Sequence, residues 1–177
     1  MGKRLNFWPL AGFLTVSVLG TLAHFAYEWS GKQLLAGAFC AVNESTWEHM
    51  KLLFFPALLF TMIQIVAAQE RDGAIPAVRA VSVTAGLLLI PVLYYTYTGI
   101  LGRHVLWADI AIFYLAAALT FRLDSCLRRR RRLWEPWQQA AGLLWLWGLA
   151  FLFVWWTFRP PHIGLFLDPA TGGYGIA

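Results

Sequence analysis

The sequence predicts an all-α, polytopic membrane protein, a five-helix transmembrane bundle with one short interfacial or re-entrant helix after the first span. Three observations carry this. Of 177 residues, 59% are hydrophobic and only 13% charged, where a soluble domain carries about a quarter charged. The apolar residues fall in blocks near the length of about 20 that crosses a bilayer core. The polar segments between them are too short for a separate soluble domain, and helices are the only open structure that satisfies every backbone amide without water. The whole chain, 1–177, is therefore read as one integral membrane domain.

The first span covers 8–27. Lys3 and Arg4 before it and small residues near Ala23 give it the form of a signal peptide, but polar residues at its end match others further along and argue that it is kept. The stretch 31–42, GKQLLAGAFCAV, is too short to cross and predicts the interfacial or re-entrant helix. The second span, 46–68, opens with Ser45 and Glu48 at capping-box spacing. It contains Pro56, which frees the Leu52 carbonyl, and Gln64, read as an interhelical hydrogen-bonding amide. The third, 77–97, contains Pro91 and ends among Tyr94, Tyr95 and Tyr97. The fourth, 105–123, carries Asp109 about one turn inside, where a carboxylate needs a partner such as Arg103, His104 or Lys51. The fifth is 137–158. In the tail, 159–177, Pro160 and Pro161 stop the helix and DPATGG is turn chemistry. Its apolar residues Ile163, Leu165, Phe166 and Leu167 predict that it folds back over the outer mouth.

Lysine and arginine set the orientation, because short cytoplasmic loops retain positive charge. Placing the run Arg128 to Arg132 inside also puts Lys3, Arg4, Arg71, Arg79 and Arg122 there, ten of fourteen basic residues. Lys32, Lys51, Arg103 and Arg159 stay outside. The expected location is the cell membrane, with the N-terminus cytoplasmic and the C-terminus extracytoplasmic. The net charge of +5 is concentrated in a run without interleaved aromatics, which points to membrane lipids and not to nucleic acid as the partner. Cys40 and Cys126 fall near opposite faces, too far apart to pair. Glu70, Asp72, Asp124 and Glu135 lie beside inner arginines and read as solvated interface charge.

On this topology every histidine (His24, His49, His104, His162) and five of nine acids (Glu28, Glu44, Glu48, Asp109, Asp168) fall in the outer half. His24, Tyr27 and Glu28 project from one side of a helix. The segment VNESTWEHMKLLFFP, 42–56, is the densest polar cluster. Glu48 or Glu28 is placed to act as a base, with His49 and His24 as ligands or proton carriers. Lys51 is expected as an anion contact, and Asp109 completes the catalytic set. Tyr27, Asn43, Glu44, Trp47, Tyr97 and His162 are the candidates for substrate contact. Neutral imidazole with carboxylate suits zinc or another divalent ion, so His24, Glu44 and His49 form the candidate ligand set, with Glu28 and Asp109 as further donors. The inverted zincin pattern HxxEH needs histidine at 45, where this chain has Ser45. Ser45 activated by His49 is an alternative nucleophile, although a serine used as a helix cap, with no glycine-rich oxyanion loop beside it, is poorly placed for attack.

The combination HFAYEW, VNESTWEHMKLLFFP, YYTYTGILG and PPHIGLFLDPATGGYGI, in that order, resembles a family of small prokaryotic multi-pass membrane proteins known only as a domain of unknown function. The resemblance covers nearly the whole chain and implies this architecture without an activity. Gly164 stands where that family usually has proline, and the inner loop is unusually arginine-rich. The HF pair followed by Tyr27 also resembles the VanZ-like membrane proteins, thought to act on lipid-linked substrates, but the acidic motif downstream differs in form and spacing.

Three functions compete. A membrane-embedded enzyme acting on a lipid or lipid-linked headgroup needs the outer polar groups to converge. A carrier of small solutes or ions needs a polar route past Gln64 to the inner side. An accessory subunit would use the outer cluster as a docking surface.

Overall fold

The structure, a computed structural model, describes residues 7–67, 74–130 and 135–176. Six α-helices run in order through them: α1 (Phe7–Trp29), α2 (Leu34–Phe39), α3 (Thr46–Ala67), α4 (Ile75–Leu101), α5 (Leu106–Arg130) and α6 (Pro136–Phe158), followed by one 3₁₀ turn at Gly164–Phe166. All but α2 are long and apolar enough to cross a membrane. The bundle is therefore all-α and multi-pass. Glu70, Asp72 and the basic residues Lys3, Arg4, Arg71, Arg131 and Arg132, with Trp134, lie outside the described residues.

Helices α3 and α4 form the centre. In the most apolar stretch of α3 61% of residues are buried, against 28% in α1 and α6, whose outer faces are left to lipid. Helix α1 packs on α3 and α5, while α6 packs on α4, α3 and α2. Between the two ends of the bundle the packing is mainly apolar, through a core that includes Val16, Leu53, Phe54, Ala57, Val83, Leu87, Ala116, Ala117, Leu146 and Phe153. Pro56 sits inside α3 and leaves the Leu52 carbonyl without its helical donor. Helix α1 approaches that carbonyl closely at Gly20, where a β-carbon would collide with it. The close approach puts glycine backbone against the exposed acceptor, the geometry of a Cα–H···O contact.

Three sequence expectations need revision. Helix α2 spans only 34–39, because the backbone of Gly31 and Lys32 is left-handed (φ 71° and 61°) and closes α1 with Lys32 N–H donating to the Tyr27 carbonyl. Helix α4 outruns its apolar block at both ends. Helix α5 continues to Arg130, because arginine is a good helix former and Asp124 and Arg128 pair across one turn.

The tail does fold back. Phe166 is buried against Trp47 and Trp156, Tyr95 Oη donates to the Gly164 carbonyl at 2.9 Å, and Leu167 bridges Tyr174 antiparallel. Asp168, almost fully buried, closes this turn by accepting from Ala170 N–H and Thr171 Oγ1.

Candidate functional site

The polar residues of the histidine end do not meet at one point. They sort into three groups, because consecutive residues on α3 point about 100° apart.

The first group is His24, Glu44 and His49. His24 comes from α1, His49 from the first turns of α3, and Glu44 from the loop between α2 and α3. His24 Nε2 is 3.8 Å from Glu44 Oε1, and His49 Nε2 is 3.4 Å from Glu44 Oε2. The two rings lie 5.4 Å apart. One potential ligand atom from each residue falls within 4.8 Å of the others. His49 Nδ1 is 3.0 Å from the Ser45 carbonyl, so in the neutral ring Nδ1 carries the proton and the lone pair stays on Nε2, facing Glu44. All three side chains are part-exposed, from 30% at His24 to 53% at Glu44, so a ligand can reach them. The Ser45 hydroxyl is not bonded to His49: it accepts from Glu48 N–H at 3.4 Å, the helix-capping role.

The second group is buried. Lys51 Nζ donates to Glu48 Oε2 at 2.7 Å, to the Gly37 carbonyl at 2.8 Å and to Thr157 Oγ1 at 2.8 Å. An ammonium has three protons, so all are used, and Lys51 is 0% exposed. Glu48 also accepts from Val42 N–H at 3.1 Å and from Thr157 Oγ1 at 3.0 Å. Only half of the expected capping box therefore forms, since the Glu48 carboxylate reaches α6 and the loop instead of the start of its own helix. The expected anion contact and base are spent on each other, with no solvent access. Thr157, a lone hydroxyl in the apolar block WWTF, gave no signal as their partner.

The third group joins α4 to α5. Tyr97 Oη donates to Asp109 Oδ1 and accepts from Val105 N–H at 3.1 Å. His104 Nδ1 stands 3.6 Å from Asp109 Oδ2. Of the partners expected for Asp109, His104 is the one present.

The remaining candidates are dispersed. Glu28 pairs with Lys32 at 3.5 Å, exposed to solvent. Tyr27 is buried, and Trp47 packs on Phe153, Trp156 and Phe166. His162 stacks on Tyr174, their centroids 4.6 Å apart. Asn43 donates to the Gly175 carbonyl at 2.9 Å and accepts from Ser45 N–H at 2.9 Å.

At the opposite, arginine end, the reading of Asp124 as solvated charge is overturned. Asp124 is 2% exposed and Arg79 1%. Asp124 accepts from Arg128 through both oxygens, at 2.7 and 3.2 Å, and lies 3.3 Å from Arg79 Nη2. Arg79 also donates to Gln64 Oε1 at 2.8 Å, which satisfies the interhelical bond expected of Gln64. Its guanidinium lies over the Phe121 and Phe60 rings, 4.7 and 5.4 Å from their centroids. The signals were an i,i+4 Asp–Arg pair and an arginine inside an apolar run, AVRAVSV. Cys40 and Cys126 are unpaired.

Five apolar spans with polar groups gathered at the two ends define an integral membrane protein of the multi-pass helical class. The chain belongs to the family of unknown function DUF6512, whose model matches residues 2–176. No curated protein and no solved structure matches it.

Proposed function

We propose that this chain is a membrane-embedded, metal-dependent enzyme whose His24, Glu44 and His49 hold a divalent transition ion and act on a lipid or lipid-linked headgroup. The observation that carries the reading is the convergence of two imidazoles and one carboxylate from three separate segments within 4.8 Å. Two nitrogens and an oxygen suit zinc and its neighbours. The Ser45 carbonyl orients His49 by holding its Nδ1 proton, as outer hydrogen bonds do for metal-binding imidazoles. Three protein ligands would leave a coordination position open, the arrangement of catalytic sites. A bound divalent ion supplies a Lewis acid for a phosphoryl or carbonyl oxygen and lowers the pKa of its water.

The place of the site favours a headgroup substrate. His24 lies five residues before the end of α1 against exposed Phe25, on which exposed Trp29 stacks, and aromatics of this kind mark the membrane boundary. A carrier is disfavoured by the mainly apolar packing between the two ends and by the engagement of Gln64 with Arg79.

The test is metal loading. Purified protein incubated with Zn²⁺ and freed of excess should retain about one ion per chain, as three protein ligands suffice. The His24→Ala, His49→Ala double variant should retain none. Equal metal in both samples, or none in either, overturns the proposal.

A further inference from the structure

The geometry points to the C-terminal tail as the element that positions Glu44 in this site, through Asn43 and Gly175. The inference rests on the metal reading above and assigns a positioning role to residues that touch no ligand. Glu44 is the one member of the triad outside a helix, so something else must hold it. Its loop is fixed at three points. Glu48 accepts from Val42 N–H on one side, and Asn43 Oδ1 accepts from Ser45 N–H across Glu44 itself. Asn43 Nδ2 donates to the Gly175 carbonyl, the only one of the three bonds that comes from a distant part of the sequence.

Gly175 is set for this contact. Its φ is +69°, a left-handed conformation that side chains rarely adopt. A β-carbon there would lie 3.0 Å from the Thr157 carbonyl and 3.0 Å from Pro160 Cγ. A side chain at 175 is therefore strained by that φ and asks the tail and α6 to separate by a few tenths of an ångström. Ile176 next to it packs over Gly37 in α2, so the same displacement is felt at the short helix that leads into the loop. With Gly175 shifted, its bond to Asn43 is weakened and Glu44 gains freedom relative to His24 and His49, which their own helices hold in place.

The experiment is a Co²⁺ titration of the full chain in detergent, read by the visible absorption of the bound ion, which reports ligand number and geometry. Gly175→Ala should bind more weakly, by up to about tenfold, the lower end of the effect of losing a group bonded directly to a ligand, with a changed band shape while both histidines remain. Gly172→Ala is the control: it has the same positive φ, 71°, but nothing within 4 Å of an added β-carbon. It carries the same backbone strain and should match the wild type in Co²⁺ affinity and band shape. If Gly175→Ala does not fold, Asn43→Leu carries the test, with the same weakening expected. Wild-type affinity and spectrum in Gly175→Ala or in a folded Asn43→Leu overturn the inference and leave the metal site standing. Equal weakening in Gly172→Ala also overturns it, as general strain in the tail. Absence of Co²⁺ binding by the wild type overturns the metal reading, and this inference with it.

Discussion

Lys51 shows what a single residue costs and what it secures. A charged pair out of water is expensive, and it is stable only when every remaining donor and acceptor is met; the Gly37 carbonyl and Thr157 meet them here. Lys51→Met leaves Glu48 buried without its cation, and the expected loss is about 3–5 kcal/mol. The Glu48→Gln, Lys51→Met double variant removes both charges and should recover most of it. Thermal unfolding in detergent measures both. A single variant as stable as the wild type would remove the pair from the account of the fold. Cys40 nearby reports on the same environment. Burial pushes its thiol up, with Lys51 pulling weakly the other way. Because the thiolate is the reactive form, a raised pKa means less thiolate at neutral pH, so alkylation of Cys40 should accelerate as the pH rises.

The first turns of α3 explain why element positions were legible in the sequence while the site was only partly so. The spans followed from apolar length alone, and the fold-back of the tail from its prolines and apolar residues. The grouping of His24, Glu44 and His49 was legible because imidazoles and carboxylates in a membrane chain are few. The roles of Glu48 and Lys51 were not, since density along the sequence is not convergence in space. Trp47, Glu48 and Lys51 occupy one sector of α3, facing α6, and His49 turns the other way to α1. The partners that decide this, Thr157 and Gly175, lie more than a hundred residues away. At the arginine end, a charge count took Asp124 as the limit of a span, whereas the helix runs on and buries it. Asp124 ties α4 to α5, and Asp124→Ala removes the buried carboxylate that Arg79 and Arg128 share. It should lower stability by about 3–5 kcal/mol, read from the melting of the purified protein. A variant that melts with the wild type would show the network to be dispensable.

Across the whole molecule, polar chemistry is divided between two ends by apolar packing, and the positive-inside rule predicts that the arginine end faces the cytoplasm. In that orientation Cys40 would be extracytoplasmic and Cys126 cytoplasmic. A membrane-impermeant maleimide applied to intact cells at alkaline pH should modify Cys40 and spare Cys126 until the cells are opened; the reverse pattern inverts the topology. The buried Arg79 bears on how the chain enters the bilayer. An arginine at the middle of a lone helix disfavours insertion by about 2.5–3.5 kcal/mol on translocon scales, less near a helix end. Arg79 gains its carboxylate only when α5 brings Asp124 alongside. Helix α4 is then a reluctant passenger by itself, and α4 with α5 is the smallest unit that the insertion machinery can release into lipid with its charge already answered.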